Sequence, residues 1–173
     1  MTLQDRIHAT LGLTPSPASA DLVDALAVDW AREAGTGDDR ADIVDMLVQD
    51  LSAAASDVPT EDRMGLLQAR VAGREARQLS SATFLLAKQL QQGEVSPDTA
   101  VPQATALAAK IAALREHAAS HVPQQWRAEL QTPLQNALLD AEWVKRGGEG
   151  PMSGRLGRFT ADQADAPPPD IRP

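Results

Sequence analysis

The fold is decided by residues 60–92, which read TEDRMGLLQARVAGREARQLSSATFLLAKQLQQ. Thr60 is a suitable N-cap, Glu61 and Asp62 suit the positive end of a helix, and Gly93 is a suitable C-terminal stop. The pattern predicts one α-helix of about 32 residues, which at 1.5 Å per residue would be roughly 48 Å long.

The apolar side chains of this helix share one arc of the helical wheel, about 140° wide, which is enough to contact two neighbouring helices. They are Met64, Leu67, Val71, Leu79, Ala82, Leu85, Leu86 and Leu90. Because short N-terminal helices would cover only part of this arc, we expect a homodimer formed by symmetric pairing of the long helix.

Shorter helices flank the long one, and glycine or proline separates each from the next. The apolar periodicity predicts them at 2–12, 19–34, 39–54, 97–120 and 124–146, with Ser19 as the cap of the second and a kink or split at Pro133 in the last. Few aromatic or β-branched residues are present to favour strands. The predicted fold is therefore all-α, a bundle of about six helices around one long central helix.

The last part of the chain differs in composition from the rest. Glycine, proline and aspartate dominate residues 147–173, which end in APPPDIRP. Such a composition buries too little apolar surface to offset the entropy lost on ordering. We therefore expect a helical domain over residues 1–146 and a flexible Gly/Pro-rich tail over 147–173, free or ordered on a partner.

Charge is unevenly distributed along this acidic chain, whose net charge is −8. Residues 1–62 carry 13 acidic and 3 basic side chains, whereas residues 63–146 carry 7 and 10. Cysteine is absent, which excludes disulfides and thiolate metal sites. The N-terminus has no secretory pattern, and no run approaches the roughly 18 apolar residues of a membrane span, so we expect a cytoplasmic protein.

Five cations of the long helix lie within about 60° of one another on the helical wheel, in what we call the arginine stripe. They are Arg63, Arg70, Arg74, Arg77 and Lys88. Such a row suits an acidic protein partner or a nucleic-acid backbone. It also suits internal pairing with the many aspartates of the second and third helices.

A second candidate surface lies in the expected tail. Two cations, Arg155 and Arg158, alternate there with Leu156 and Phe159. A flexible strip of this composition is suited to docking in a groove or on an acidic partner.

Metal binding has two weak candidates. His117 and His121 are spaced i, i+4, which places both imidazoles on one helix face, but the general-base glutamate of a zincin motif is missing between them. An acidic cluster at 38–45 could hold a hard cation, yet it lacks the interleaved glycine of a calcium loop and suits a helix N-terminus equally well. Its members are Asp38, Asp39, Asp42 and Asp45.

No catalytic motif is recognisable in the chain. Phosphate-binding and dinucleotide-binding glycine loops and the nucleophile elbow are all absent. We therefore expect a non-enzymatic protein–protein interaction module without a cofactor, such as an adaptor, regulator or assembly factor. The alternatives are a nucleic-acid-binding regulator that uses the arginine stripe and a metal-dependent helical-bundle enzyme that uses His117 and His121.

Overall fold

The computed structural model describes residues 2–34 and 40–164, and within those ranges the chain forms seven α-helices and no strand. The helices are α1 Leu3–Leu11, α2 Pro17–Ala34, α3 Arg40–Ala55, α4 Arg63–Gln91, α5 Pro97–His121, α6 Gln124–Lys145 and α7 Gly154–Ala164. The predicted all-α fold with one long helix is confirmed. In the described ranges, no helix has both the length and the apolar character that crossing a membrane requires.

The long helix ends as its sequence predicts, but no side chain in the described ranges caps its start, where Thr60 was expected to be the N-cap. A 3-10 turn at Thr60–Asp62 leads into α4, and Gly93, with φ +73°, follows it. The Gly93 N–H donates to the Leu90 carbonyl at 3.1 Å, and the Glu94 N–H donates to the Gln89 carbonyl at 2.8 Å. This is a Schellman arrangement, whose left-handed residue is sterically easy only for glycine.

The start of α2 differs from the prediction. Ser16 Oγ accepts the N–H of Ser19 at 3.2 Å, and Pro17 occupies the first helical position, where a missing N–H costs nothing. Ser19 is instead buried, and its hydroxyl bonds His8 Nε2 at 3.0 Å. Ser19 therefore links α2 to α1, and it also completes the cap of α2 because its hydroxyl accepts the Ser16 N–H at 2.9 Å.

The chain divides into two compact units, of which the first comprises Met1–Gly73 and Ala118–Arg127. In it, α1 packs against α2 and α3, which also pack against each other. Its core consists of Ile7, Leu11, Val23, Leu26, Leu47, Leu51, Ala55, Leu66 and Leu67. Trp126 packs against this core from the start of α6.

The second unit comprises Arg74–His117 and Ala128–Pro173. Its core consists of Leu86, Ala87, Ala100, Ala104, Trp143, Val144 and Leu156. The helix α6 is continuous through Pro133 and does not split there. Alanines supply the α5 side of this core, and their small side chains let a helix backbone approach closely.

A seventh helix lies where the composition predicted a flexible tail. Gly147 and Gly148 follow α6, as expected, but the chain then forms α7, whose Leu156 is 1% exposed. Glycine and proline dominate the average composition of 147–173 and obscure this short amphipathic stretch. Residues 165–173 lie outside the described residues.

The apolar arc of α4 is largely covered within the two units. Leu67, Leu79 and Leu86 are buried, whereas Ala82 is exposed and Leu85 is 54% exposed. Symmetric pairing of α4 would have to use the strip around Leu85, and the homodimer stays a prediction.

Gly65→Ala is expected to destabilise the first unit, although alanine is the better helix former. A Cβ at position 65 would lie 2.5 Å from Pro123 Cγ and 3.1 Å from Trp126 Cζ3. Helix propensity favours the substitution by about 1 kcal/mol, but overpacking costs about 1–3 kcal/mol. We expect a lower urea midpoint for Gly65→Ala.

Ser52→Ala, at an exposed position of α3, is the control and should change the free energy of unfolding by less than about 0.5 kcal/mol. A Gly65→Ala chain as stable as the unmodified protein would contradict the close packing of α4 on Pro123.

Candidate functional site

The arginine stripe begins with a side chain that is committed to the first unit. Arg63 Nε donates to the Val58 carbonyl at 3.0 Å, and its Nη1 donates to the Leu11 carbonyl at 3.2 Å. The guanidinium thus joins the end of α1 to the start of α4. Its role in the fold leaves it little freedom to bind an external anion.

The other stripe residues lie in different environments. Arg70 Nη1 lies 3.8 Å from Asp50 Oδ2, and both side chains are partly exposed, so the pair stabilises the fold little. Arg74 is half-buried and engaged within the chain, whereas Arg77 is exposed. Internal pairing with an aspartate of α3 is therefore found at Arg70.

The histidine candidates lie in the last turns of α5, where both side chains are exposed and engaged within the chain. Across the described residues, no group of three or more metal-ligating side chains comes together. His8 is buried, with Nδ1 2.9 Å from the Gln4 carbonyl and Nε2 bonded to Ser19. His117 and His121 therefore have no third ligand in the described chain.

The acidic cluster is described only in part. Asp45 Oδ1 accepts a hydrogen bond from Arg6 Nη2 at 2.6 Å, which ties α3 to α1. Asp38 and Asp39 lie outside the described residues, as does the side chain of Asp42. The described member of the cluster thus serves as an ion-pair partner.

The clearest candidate site is formed where α7 docks in the second unit. Phe159 packs edge-to-face on Phe84 of α4, with ring centroids 5.5 Å apart and planes at 80°. The Arg155 guanidinium lies 4.6 Å from the centroid of the Phe84 ring, and Lys88 Nζ lies 5.5 Å from that of Phe159. Three residues predicted to bind partners therefore engage α7 with α4 of the same chain, while Arg158 is exposed.

Further contacts extend this surface along α4. Arg155 Nη1 donates to Ser81 Oγ at 3.4 Å, and Gln91 Nε2 donates to Thr160 Oγ1 at 3.4 Å. Beneath them, Leu156 is buried in the core of the second unit. We call the surface that α7 covers the α7 seat, and its polar and aromatic members are Ser81, Phe84, Lys88 and Gln91 of α4 and Asp140 of α6.

Asp140 lies directly beneath the N-terminus of α7 and is fully buried. Its Oδ1 accepts the Leu156 N–H at 3.1 Å, and among the described residues Oδ2 has no hydrogen-bonding partner. A Cβ on Gly154 would lie only 2.7 Å from Oδ1. The carboxyl group therefore caps α7 from another helix.

Burial raises the pKa of Asp140 to about 6. The backbone N–H groups of Leu156 and Arg155 oppose this shift because they favour the carboxylate, and the charges of Arg155 and Arg158 oppose it further. Desolvation outweighs all of them because the side chain has no access to water.

Sequence reasoning missed Asp140, although one signal was present. The apolar face of α6 repeats through Ala137, Ala141 and Val144, and Asp140 stands three residues after the first of these and four before the last. An acid on an apolar face requires a partner when it is buried. The partner is the backbone of α7, which composition had assigned to a flexible tail.

Comparison with protein-family models, curated proteins and solved structures found no match to this chain. Its function must therefore be argued from its own residues.

Replacing Arg63 by Met should destabilise the first unit by about 1–3 kcal/mol, because two hydrogen bonds from a charged group to carbonyls are lost. Arg77→Met, at an exposed position of the same helix, is the matched control and should be nearly neutral. Urea denaturation measures both. Equal stabilities of the two variants would show that Arg63 has no special structural role.

A double-mutant cycle on Phe84→Ala and Phe159→Ala should give a coupling of about 0.5–1.5 kcal/mol, the range for aromatic pairs. The free energy of α7 opening, measured by amide exchange, is the readout. The control cycle combines Phe159→Ala with Gln78→Ala, since Gln78 is exposed on α4. Additive effects of Phe84→Ala and Phe159→Ala would contradict a direct ring contact.

Proposed function

We propose that the chain is a non-enzymatic protein–protein interaction module that binds an amphipathic helix of a partner protein at the α7 seat. The observation that carries this proposal is the docking of the chain's own C-terminal helix on that surface. Helix-in-groove binding is a common mode of peptide recognition, and α7 provides an internal example of the ligand.

The side chains of the seat resemble those of protein interfaces. Aromatic and arginine residues are enriched at the energetic centres of such interfaces. Here Phe84 is contacted by both Phe159 and Arg155, and Leu156 supplies the buried apolar anchor. A partner helix would reproduce these contacts if it carried an apolar residue, a cation immediately before it and an aromatic residue three positions after it.

Helix α7 is suited to being exchanged. It has 11 residues, and isolated helices shorter than about 12–15 residues are marginal in water, so its helicity depends on docking. Leu156 is its only buried side chain in the described range. A competing helix needs to replace a small number of contacts.

The seat also extends beyond what α7 covers. Ser81 and Lys88 both contact α7, and Leu85 lies four residues after the first and three before the second, on the same side of α4. Leu85 is nevertheless 54% exposed. A longer or bulkier helix than α7 would cover it, which favours an external ligand as a better fit.

Two alternatives stay predictions from the sequence: metal-dependent activity through His117 and His121, and nucleic-acid binding through Arg63, Arg70, Arg74 and Arg77. Neither is needed for the function proposed here.

Binding of a peptide tests the proposal. The probe is a fluorescein-labelled peptide of residues 152–164, and the protein is the full chain with Leu156→Asp, which should release its own α7. We expect the opened variant to bind the peptide at least about tenfold more tightly than the unmodified chain, where a tethered helix competes at millimolar effective concentration.

Three controls sharpen this experiment. A peptide with Leu156→Asp and Phe159→Asp should not bind, and adding Phe84→Asp to the opened variant should abolish binding. Adding Gln78→Asp, at an exposed position of α4, should leave binding unchanged. Phe159→Ala offers a milder opened variant if circular dichroism shows that Leu156→Asp unfolds.

An opened variant that keeps its helicity but binds the peptide no better than the unmodified chain would refute the proposal. Light scattering of the same samples shows whether an opened chain instead takes α7 from a second copy, which would identify self-association as the seat's use.

A further inference from the structure

We propose that Asp140 is the release point of α7: ionisation of this buried carboxyl group undocks α7, so that pH sets how often the α7 seat is open. The proposal concerns how the α7 seat is regulated. It rests on the proposed function only in that an open seat is useful if a partner helix binds there. The docking equilibrium itself lies within the second unit of one chain.

The geometry places one carboxyl group at the point where α7 is held. Asp140 has no exposed surface, its Oδ1 accepts the Leu156 N–H, and Gly154 passes so close that no larger residue fits there. Leu156 is also the buried anchor of α7. The backbone that Asp140 binds and the side chain that fixes α7 thus belong to the same residue.

The second carboxyl oxygen makes the charge costly. Oδ2 has no hydrogen-bonding partner in the described part of the chain. A buried oxygen without a partner costs more on a charged carboxylate than on a neutral carboxyl group, because burial penalises the charged form. Release of α7 admits water to Oδ2 and removes this cost.

The charged groups that face Asp140 come from α7. Arg155 and Arg158 act on it through their positive charges. On α6 itself, Glu142 pairs with Lys145 at 2.9 Å, and on α4, Lys88 faces the Phe159 ring. The pH dependence of docking is therefore assigned to Asp140.

The sign follows from the pKa of Asp140, which burial raises to about 6 from 3.8. The docked state consequently binds more protons than the released state between these two values. Docking is strongest below the lower value, weakens as pH rises, and reaches its weakest level once pH passes the higher value. Acid thus closes the seat, and neutral pH favours its opening.

Amide hydrogen exchange on the full chain tests this without a partner. Protection factors of the amides at 157–164, referenced at each pH to the free peptide 152–164, report the docked-to-released ratio even when release is rare. The pKa of Asp140 is 3.8 in the released state and about 6 in the docked state. With these values, the linkage relation gives a fall of about tenfold in the α7 protection factors between pH 5 and pH 7.5. Amides at 47–55 of α3 in the first unit, a helix without histidine, provide the internal control and should not follow this change.

Two variants assign the effect to Asp140. Asp140→Asn keeps an acceptor for the Leu156 N–H and cannot ionise, so protection of α7 should be independent of pH. Arg158→Gln removes a cation that favours the carboxylate and should move the midpoint to higher pH. Arg158 is exposed, so this variant keeps the fold if Asp140→Asn does not.

Unchanged protection between pH 5 and pH 7.5 in the unmodified chain, or the same fall in Asp140→Asn, would overturn the proposal. The two hypotheses fail separately. If the peptide binds but docking of α7 does not depend on pH, the interaction module stands and its regulation by Asp140 is refuted. If docking depends on pH but the peptide does not bind, Asp140 controls α7 and the proposed binding of a partner helix is refuted.

Discussion

The docking of α7 in the second unit depends on the first turn of this helix, whose backbone N–H groups have no partners within their own helix. Asp140 of α6 accepts the N–H of Leu156, and the side chain of the same residue enters the core beside Trp143 and Val144. Leu156 therefore provides both the hydrogen bond to Asp140 and the buried apolar side chain of α7. Because α7 is too short to be stable by itself, its remaining contacts with α4 depend on the docking of Leu156.

The cations of the chain show how differently one residue type is used. Arg63 donates to two carbonyl oxygens and thereby connects the end of α1 to the start of α4. Arg70 instead forms a long, partly exposed ion pair with Asp50. Lys88 and Arg155 instead lie over aromatic rings at the α7 seat. A helical wheel places cations on one side of a helix, but the neighbours of each cation come from other parts of the chain. For this reason the cations of the arginine stripe lie in different environments, and partner binding along the stripe stays a prediction.

The sequence predicts the helices well where local chemistry decides them. Gly93 ends α4 through hydrogen bonds that depend on a left-handed residue, and that preference is readable from the sequence. The start of α2 was misjudged because Ser16 and Ser19 are both good caps, and burial of Ser19 against His8 is a tertiary effect. The α7 seat was not predicted, because an 11-residue helix is marginal by itself and the average composition of 147–173 obscures its amphipathic pattern. Asp140 could have been suspected from its position on an apolar face, but its partner could not.

The choice of an acid at position 140 bears on what α7 is for. An asparagine would offer the same acceptor to the Leu156 N–H without a charge to desolvate, and it would hold α7 at any pH. A carboxyl group with one unsatisfied oxygen holds α7 less firmly as soon as it ionises. Leu85, left exposed beside the contacts of α7, shows further that α7 does not cover this surface completely. A permanent part of the core would be expected to have neither feature, whereas a helix that must give way to another would have both.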